Sequence, residues 1–447
     1  MEEDERISVI GLGKLGSCLA ATLAYKGFTV LGLDVKNHTI ELLNKGKAPI
    51  VEPRLQEIID GSKGRLKATS NFKEITNNSD ISFVVVPTPS EKDGSFSNAF
   101  LKDVLKELAT NIKEKKGDHL IVINSTVTPT TTEKVLIPFI EEHSGKKVKE
   151  GWNICYNPEF IALGNVVNDI LEPDVVLIGE NNTAVGDRLE KIYRKLCDNN
   201  PMISRMSLVS AEIAKIALNA YVTMKISFAN TLGNICEKVP GANADSISQA
   251  LGADKRVSPH FIKAGLSFGG PCFPRDNKAF DTFAQKVGVD APLAKATDKI
   301  NDSQIEKLFE KICETIDKSS YDSISILGLA YKPNTDIIEE SAVVKVIDKI
   351  SNKYTEVEIS VYDPLASENT RALFGDRISY SKSAKECLDR SPFWIIASPE
   401  KEFKNISAKQ VKHDLTTIID CWRILDPKDF KGKARYLSLG VNHYEGD

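Results

Sequence analysis

Short apolar runs alternate with helical stretches along the first 200 residues of the chain. The runs Ile7–Ile10 and Phe28–Asp34 flank a stretch of small residues over Lys14–Gly27, which predicts a strand, a helix and a second strand. A helical stretch over Asn98–Lys115 continues the alternation. Further predicted strands are Ile81–Val86, His119–Asn124, Trp152–Tyr156 and Val175–Gly179. This order predicts a parallel, doubly wound sheet.

A long helical segment comes next and separates this region from a second α/β pattern. Apolar residues recur at helical spacing from Ser207 to about Lys238, where Pro240 ends the predicted helix. Helical segments continue to about Lys318, interrupted by a glycine-rich stretch around Gly265–Pro274. The predicted elements beyond it are the strands Ser323–Leu327, Glu358–Tyr362, Pro392–Ala397 and Thr417–Cys421 and the helix Ser341–Ser351. The two α/β regions echo each other, since a strand runs into Gly-Leu-Gly at 11–13 and into Gly-Leu-Ala at 328–330.

Composition narrows the class of protein. A chain of 447 residues with 41% hydrophobic and 27% charged residues is typical of a globular protein of two or three domains, not of a disordered or fibrous one. The 58 basic residues nearly balance the 62 acidic ones, so we expect no nucleic-acid partner. The acidic start and the lack of an apolar run near 20 residues predict a cytoplasmic protein with no membrane partner. Eight cysteines without a C-x-x-C pair predict reduced thiols, with neither a disulfide framework nor a zinc site.

A glycine pattern opens the first predicted helix. Gly11, Gly13 and Gly16 form G-x-G-x-x-G directly after a strand, and Asp34 ends the next strand. Such a turn lets a pyrophosphate approach the backbone at a helix N-terminus, and the acid accepts hydrogen bonds from a ribose diol. The pattern predicts NAD binding in preference to NADP, although Lys36 weakens the exclusion of NADP. The alternative is a glycine turn with a purely structural role.

A cysteine in a loop of glycines and prolines is the second candidate. Cys272 lies in the segment Phe268–Asp276, and Arg275 close behind it offers a cation that favours the thiolate. The alternative is an unreactive loop cysteine. A cysteine–histidine dyad of the protease type is not expected, because only His260 stands near in the sequence.

A lysine and an asparagine form the third candidate. Lys215 and Asn219 are four residues apart on the long predicted helix, so they share one face among apolar neighbours. A buried amine there is costly unless it is paired or has a chemical role, whereas a solvated helix face is the alternative. Glu159, in Asn157–Phe160, comes after a predicted strand, where doubly wound folds place ligand contacts; it could also be a simple loop acid.

In combination these segments resemble the UDP-glucose/GDP-mannose dehydrogenase family, most closely its UDP-glucose-oxidising members. The resemblance covers nearly the whole chain. Its motifs are Gly11–Gly16, Val86–Ser90, Ser125–Val127, Asn157–Phe160, Ala214-Lys215 with Asn219, Gly269–Cys272 and Gly328–Ser341. The resemblance implies oxidation of the C6 alcohol of a nucleotide hexose, with UDP-glucose as the expected substrate, to a carboxylate by two NAD.

The resemblance also implies roles in catalysis. Cys272 would attack the intermediate aldehyde, and the second oxidation would give a thioester. Lys215, with Asn219 beside it, would stabilise the oxyanion. Asp276 would orient Lys215 and a water near Thr126. Glu159 would serve in acid–base steps and in thioester hydrolysis.

Binding residues are implied by the same resemblance. Those expected to hold NAD are Gly11, Leu12, Gly13, Lys14, Leu15, Gly16, Asp34, Thr88, Pro89, Ser125 and Thr126. Those expected to hold the nucleotide sugar are Glu159, Phe160, Lys215, Asn219, Arg256, Phe261, Phe268, Gly269, Lys332 and Arg423. No metal is expected.

The implied architecture is α/β, with two doubly wound, Rossmann-like parallel sheets joined by a helical dimerisation segment that contains one long central helix. The expected domains are an NAD-binding domain over 1–203, a helical dimerisation and catalytic-loop domain over 204–318, and a nucleotide-sugar-binding domain over 319–447. The protein is expected to form a homodimer or a higher homo-oligomer, in which Arg256 reaches the sugar pocket of a neighbouring subunit.

The chain departs from the family pattern at several positions. Leu163 stands where a glutamate is usual and Glu339 where an arginine is usual, which puts details of the NAD contacts in doubt. Arg275 replaces a usual lysine. Pro271 stands where serine or histidine is usual; because the histidine accompanies N-acetylated sugars, its absence favours UDP-glucose.

Several alternatives stay open. The substrate could be a UDP-N-acetylhexosamine, GDP-mannose or dTDP-glucose instead of UDP-glucose. A two-electron hydroxyacid dehydrogenase would use the helix lysine and asparagine but not Cys272. A nucleotide-sugar-binding protein with impaired catalysis would fit the changes at Leu163 and Glu339.

Overall fold

A computed structural model describes residues 5–442 of the chain. The chain divides near residue 217 into two compact units, an N-terminal unit over the described residues up to 217 and a C-terminal unit from 218 onward. Within residues 5–442, none of the helices combines the length and the apolar composition that a bilayer-spanning segment needs.

The N-terminal unit is built on an eight-stranded sheet with the order β3-β2-β1-β4-β5-β6-β7-β8. Its strands are β1 (Arg6–Ile10), β2 (Thr29–Leu33), β3 (Leu66–Thr69), β4 (Ile81–Val84), β5 (Leu120–Ile123), β6 (Asn153–Tyr156), β7 (Val175–Glu180) and β8 (Met202–Ser207). The strand order reverses at β1, where Ile7 pairs with Val30 on one side and with Ile81 on the other. Crevices for ligands form at such reversals in doubly wound sheets.

Helices connect these strands. They are α1 (Lys14–Tyr25), α2 (Asn37–Asn44), α3 (Leu55–Gly61), α4 (Phe72–Asn78), α5 (Ala99–Glu114), α6 (Ile137–Ser144), α7 (Val166–Leu171) and α8 (Thr183–Leu196). The helix α9 (Leu208–Cys236) begins in this unit and continues into the next.

Alternate residues of the central strands enter two apolar clusters. Ile81 and Phe83 of β4 pack in the cluster that contains Leu19 of α1, whereas Val84 packs in the cluster that contains Leu105 of α5. Side chains of successive strand residues point to opposite faces, so both faces of the sheet are covered. That is why nearly every residue of the central strands is buried and most of them are apolar.

The C-terminal unit has a six-stranded, fully parallel sheet with the order β11-β10-β9-β12-β13-β14. Its strands are β9 (Ser323–Leu327), β10 (Glu358–Tyr362), β11 (Ser379–Tyr380), β12 (Phe393–Ile396), β13 (Thr416–Asp420) and β14 (Ala434–Ser438). Its further helices are α10 (Ala244–Ala253), α11 (Phe273–Lys286), α12 (Pro292–Ser319), α13 (Ala342–Lys353), α14 (Ser367–Phe374) and α15 (Ala384–Leu388).

The prediction of two doubly wound α/β sheets with one long helix in the middle is confirmed. One part of it needs correction, because the N-terminal sheet is not parallel throughout. β7 runs antiparallel to β6, with Tyr156 opposite Gly179, and β8 runs parallel to β7. An antiparallel neighbour needs no crossover helix, and the segment between β6 and β7 still carries α7, whose Val166 and Ile170 pack in the cluster that contains Leu19. The division into three domains and the dimerisation of the helical segment stay predictions.

Candidate active site

The three glycines of the turn after β1 are of two kinds, those at which a side chain would clash with the protein and one at which it would not. At Gly11, φ is +92° and a Cβ atom would lie 2.2 Å from the carbonyl oxygen of Val85; at Gly16 a Cβ would lie 1.8 Å from the oxygen of Gly11. Both glycines are therefore required by the packing of the protein itself. At Gly13 a Cβ would meet nothing within 4 Å. The missing side chain of Gly13 thus leaves open space at the start of α1, which fits the close approach of a pyrophosphate.

Asp34 lies beside this turn at the end of β2. One carboxylate oxygen accepts from the backbone N–H of Leu12 at 2.7 Å and the other from that of Lys36 at 2.8 Å. The carboxylate is half-buried, and each oxygen keeps acceptor capacity. Asp34 can therefore hold the turn and still receive the hydroxyls of a ribose.

The loops after β4 and β5 are tied together on the other side of β1. The Thr88 hydroxyl donates to the carbonyl of Thr126 at 2.7 Å. The Ser125 hydroxyl donates to the carbonyl of Val86 at 2.7 Å and accepts from its N–H at 2.9 Å. The carbonyl of Pro89, next to Thr88, accepts at 2.8 Å from a backbone N–H of the adjoining hairpin. The predicted NAD contacts on these loops thus occupy the same carboxyl edge of the sheet as the glycine turn.

Lys215 and Glu159 meet in the N-terminal unit. Lys215 is only 7% exposed; its Nζ donates to the backbone oxygen of Glu159 at 2.6 Å and lies 4.8 Å from the centre of the Phe160 ring. Burial raises the pKa of the Glu159 carboxyl, while the Lys215 ammonium opposes that rise. The alternative that Lys215 lies on a solvated helix face is wrong, because its side chain is buried and its amine bonds to a backbone oxygen inside the unit.

Asn219 and Asp276 meet in the C-terminal unit. The Asn219 amide donates to one Asp276 oxygen at 2.6 Å, and the Arg275 guanidinium donates to the other at 3.0 Å. Asn219 is 8% exposed and Asp276 is fully buried. The backbone N–H of Asp276 donates to the carbonyl of Cys272 at 2.8 Å, so this residue also anchors the start of α11.

Cys272 stands directly before α11, as its N-terminal cap residue. All eight cysteines lie within the described residues, none of them forms a disulfide, and Cys272 alone is exposed. The Phe273 ring next to it has its centre 6.3 Å from those of Phe261 and Phe268, each in an edge-on arrangement. An exposed thiol at a helix start, beside an aromatic wall, suits a reaction with a bound small molecule.

Buried amides that the sequence did not single out hold the loop before Cys272. Asn301 clamps Phe268, accepting from its N–H at 2.8 Å and donating to its carbonyl at 3.0 Å. Asn230 makes the same kind of pair with the N–H of Gly265 and the carbonyl of Leu266. The segment that carries Phe268 and Gly269 is therefore fixed from α9 and α12. The only sequence signal was asparagine inside a helix, where it is unfavourable.

The C-terminal sheet contributes a cavity of about 80 Å³ to the same unit. Lys332 lines it, together with Ser267, Ser398 and Trp422. The loop from Lys332 reaches the glycine-rich segment, where the N–H of Gly270 donates to a backbone oxygen at 3.0 Å. The polar lining of this small cavity thus includes an amine and two hydroxyls.

Three predicted substrate contacts differ in their surroundings. Arg423 is held inside the unit, with its guanidinium donating to Asp245 at 2.7 and 2.8 Å and to the carbonyls of Ala264 and Leu439. Phe261 is 51% exposed. The Arg256 side chain is 88% exposed and pairs with Asp254 at 2.6 Å. Arg423 therefore has one N–H left for a ligand, whereas Arg256 extends into solvent.

Two of the four departures from the family pattern, Leu163 and Glu339, differ in their surroundings. Leu163 packs against the apolar core of the N-terminal sheet. Glu339 is exposed, and its backbone oxygen accepts the hydrogen bond from Gly270. Within residues 5–442 no group of three or more histidine, cysteine or acidic side chains could hold a metal ion.

Family models match three consecutive segments of the chain. All describe the UDP-glucose/GDP-mannose dehydrogenase family: its NAD binding domain over residues 5–197, its central domain over 209–303 and its UDP binding domain over 325–427.

Individual relatives agree with these matches. The UDP-glucose 6-dehydrogenase of Haloferax volcanii is 36% identical over 400 residues, covering 89% of this chain and 92% of its own. The GDP-mannose 6-dehydrogenase of Pseudomonas aeruginosa is 35% identical over 360 residues, 79% of this chain and 80% of its own. A solved UDP-glucose dehydrogenase from Pyrobaculum islandicum superimposes with a TM-score of 0.89 at 28% identity, covering 99% of this chain and 98% of its own.

Proposed function

Because the chain belongs to the UDP-glucose/GDP-mannose dehydrogenase family and is an NAD-dependent nucleotide-sugar dehydrogenase, we propose that it oxidises C6 of UDP-glucose to the carboxylate. The observation that carries the proposal is Cys272, the one exposed thiol, placed directly before α11 in a loop whose backbone bonds to Asp276 and Asn301. A covalent route through this thiol would keep the aldehyde bound between the two oxidations, so that one enzyme could convert the alcohol into the acid.

The proposed reaction balances as one sugar alcohol, two NAD⁺ and one water giving one carboxylate, two NADH and three protons. The first hydride leaves C6 and the alcohol becomes an aldehyde. The Cys272 sulfur adds to the aldehyde carbon, the second hydride leaves the adduct, and a thioester remains. Water then adds to the thioester carbon, and the C–S bond breaks to release the carboxylate and the thiol.

The buried polar groups have separate proposed roles. The Lys215 ammonium, held by the backbone oxygen of Glu159, would stabilise the developing oxyanion. Asn219, fixed by Asp276, would donate its remaining amide hydrogen to the substrate. Glu159 would transfer protons and activate the hydrolytic water. Thr126, in the loop that follows β5, would lie near that water.

The residues that would hold NAD are those of the turn Gly11–Gly16 at the start of α1, Asp34, and the loops with Thr88 and Ser125. When bound, NAD supplies the acceptor for the two hydrides that leave C6. Gly13 supports this assignment, because neither its φ of −72° nor a contact at its Cβ position requires glycine there, which leaves a bound ligand as the reason for it.

A dimer completes the proposal. Four side chains on one stripe of α9 are about half exposed: Leu218, Tyr221, Phe228 and Ile235, at 42%, 55%, 54% and 53%. Their spacing of three, seven and seven residues is that of a seam between helices, and we propose that a second copy of the chain covers it. The exposed Arg256 would then reach the sugar pocket of that copy. The proposed functional segments stay 1–203, 204–318 and 319–447, which the family matches support.

The decisive experiment is a panel of nucleotide sugars incubated with NAD, in which NADH formed is counted per sugar consumed. We expect two NADH per sugar and the highest kcat/KM with UDP-glucose. One NADH per substrate would contradict the four-electron chemistry, and a best rate with GDP-mannose would move the assignment to the activity named for the Pseudomonas aeruginosa relative.

Replacing Cys272 tests the covalent step. We expect Cys272→Ser to lower turnover by at least about 10³-fold while UDP-glucose still binds, because an alcohol is a far weaker nucleophile and leaving group than a thiol. Cys313→Ser, which changes a buried thiol on α12, is the matched control. Activity of the Cys272 variant within tenfold of the parent would overturn the thioester route.

Mixing two inactive variants tests the shared site. In a heterodimer of Arg256→Ala and Cys272→Ser chains, one site carries both lesions and the other carries neither. Recovery of activity after subunit exchange supports the shared site. If mixed dimers form, as mass photometry or light scattering can show, and activity does not recover, Arg256 serves its own subunit.

A further inference from the structure

A tyrosine on α8 lies between two predicted site positions of the N-terminal unit. The Tyr193 hydroxyl oxygen is 2.6 Å from Oδ1 of Asn157 and 2.8 Å from Oε1 of Glu159. Tyr193 and Asn157 are 2% and 1% exposed, so solvent does not compete for these contacts. The position of the single hydroxyl hydrogen then decides which of the two oxygens receives it.

The orientation of the Asn157 amide is fixed by its other contacts. Its Nδ2 donates to the carbonyl of Leu177 at 2.8 Å, so Oδ1 is the atom that faces Tyr193. The Asn124 amide approaches this Oδ1 only to 3.4 Å and donates instead to the Asn157 carbonyl at 2.7 Å. Two oxygens 2.6 Å apart repel unless a hydrogen lies between them. The Tyr193 hydroxyl therefore donates to Asn157.

This leaves Tyr193 as an acceptor toward Glu159. A hydroxyl carries one hydrogen and two lone pairs, so a tyrosine that donates to Asn157 cannot also donate to Glu159. The 2.8 Å contact between the two oxygens is then satisfied only when Glu159 is protonated and donates. Ionised Glu159 would place a carboxylate oxygen against a lone pair of the Tyr193 oxygen.

We propose that Tyr193 is a positioning residue which holds Glu159 in its protonated form in the free enzyme, by accepting a hydrogen bond from it and passing one to Asn157. The inference rests on the proposed function for its consequence, since it fixes the protonation state in which Glu159 meets substrate. The chain of donors runs from Glu159 through Tyr193 and Asn157 to the Leu177 carbonyl.

Other ionisable groups face Glu159 from the elements packed around it. The Lys215 ammonium on α9 favours the ionised carboxyl, whereas burial raises the pKa of Glu159. Cys197, which ends α8, is a neutral neighbour, because burial and the nearby Glu159 raise the pKa of its thiol to about 12. Among the described residues these groups, with Tyr193, set the charge at Glu159.

Infrared spectroscopy of the enzyme without substrate tests the proposal. The carbonyl band of a protonated carboxyl that disappears in Glu159→Gln identifies the group, and its pH titration gives the pKa of Glu159. If Tyr193 accepts from the protonated carboxyl, Tyr193→Phe removes that support, and the midpoint moves to lower pH by about one unit. A midpoint that rises, or does not move, shows that Tyr193 donates to an ionised Glu159 or is not coupled to it, and overturns the proposal.

A kinetic readout and a matched variant complete the test. In turnover of the preferred nucleotide sugar, the limb of the pH profile of kcat/KM that belongs to Glu159 should shift in the same direction in Tyr193→Phe. Tyr321→Phe is the control, since it removes another buried hydroxyl, bonded to Leu415, and leaves both the band and the limb unchanged. An unmoved limb beside a moved band would overturn the catalytic consequence. Absence of turnover with every nucleotide sugar would contradict the proposed function but leave the infrared result valid.

Discussion

The two sheets begin with the same turn and use it differently. In the N-terminal unit the N–H of Gly11 donates to the carbonyl of Leu33 at 2.8 Å; in the C-terminal unit the N–H of Gly328 donates to that of Tyr362 at 2.9 Å. The φ angles of the two glycines are +92° and +97°. In each unit an acid ends the next strand. The framework of the first strand and turn is therefore the same.

The two units differ in the segment between the turn and the first helix. Ser17, five residues after Leu12, donates to the Leu12 carbonyl from within α1. The equivalent bond in the C-terminal unit comes from Ser341 to Leu329, twelve residues apart. The added residues form the loop that packs on the glycine-rich segment before Cys272. In the N-terminal unit α1 therefore begins directly after the glycine turn, whereas in the C-terminal unit a loop separates the turn from the start of α13.

The acids differ accordingly. Asp34 accepts two backbone hydrogen bonds and is half-buried. Asp363 is 3% exposed and accepts four, from Leu329 and Ala330 on one oxygen and from Leu365 and Ala366 on the other. An acid after the second strand is thus a ligand contact only when the protein leaves its oxygens partly unsatisfied. The identity and position of the residue do not distinguish the two cases.

The largest expected effect is a difference in the free energy of unfolding between variants of Asp363 and Asp34. Asp363→Asn turns one acceptor oxygen into a donor that faces two N–H groups, and we expect a loss of about 3–4 kcal/mol in the free energy of unfolding. Asp34→Asn, at a half-exposed position, should cost about 1 kcal/mol. Urea unfolding followed by hydrogen exchange in each unit measures both. Equal losses would show that the two acids have the same role.

Alanine at matched glycines separates folding from binding. At Gly328 a Cβ would lie 2.3 Å from Cβ of Ser398 at a positive φ, so Gly328→Ala should lower the free energy of unfolding by about 3 kcal/mol. Gly13→Ala should leave stability unchanged, because its Cβ meets nothing, yet weaken NAD binding at least about tenfold. Calorimetry of unfolding and of NAD binding compares the two. Unaltered NAD affinity in Gly13→Ala would remove the main support for the assignment of this turn.

An effect smaller than the losses of stability at Asp363 and Gly328 is expected for the choice of cofactor. A 2′-phosphate would approach the Asp34 carboxylate, and the repulsion should favour NAD over NADP by about 2 kcal/mol, roughly thirtyfold in kcat/KM. Asp34→Asn should narrow that ratio. Kinetics with both cofactors at saturating sugar provide the measurement. Equal efficiency in the parent would mean that the exposed Lys36 pairs with the phosphate and outweighs the acid.

Sequence patterns predicted the elements whose burial is complete. β4 and β5 are apolar on both faces and were found, although each is shorter than its predicted run. β3 and β8 were not predicted. They are the two edge strands of the N-terminal sheet, and each mixes polar with apolar residues. Single-sided burial leaves too weak a signal in four to six residues.

Site residues were predictable only where a local rule constrains them. The glycines of the first turn were found because their spacing, directly after a strand and at the start of a helix, is a local pattern; a positive φ requires glycine at Gly11 and close packing requires it at Gly16. Tyr193 and Asn301 were missed, because their partners lie 34 and 33 residues away and nothing local marks a tyrosine or an asparagine as buried and paired. Such contacts depend on tertiary packing, which a single sequence does not display.

Because Cys272 alone among the eight cysteines is exposed, its alkylation can be used to count functional active sites. Burial raises the pKa of thiols such as Cys18, Cys155 and Cys421 well above its usual range, whereas Cys272 is open to reagents. A limiting amount of iodoacetamide should therefore alkylate one residue per chain before any other. Residual rate plotted against alkylated fraction would then report the concentration of functional sites in any preparation, and a labelled peptide would map the reacting atom without a bound substrate.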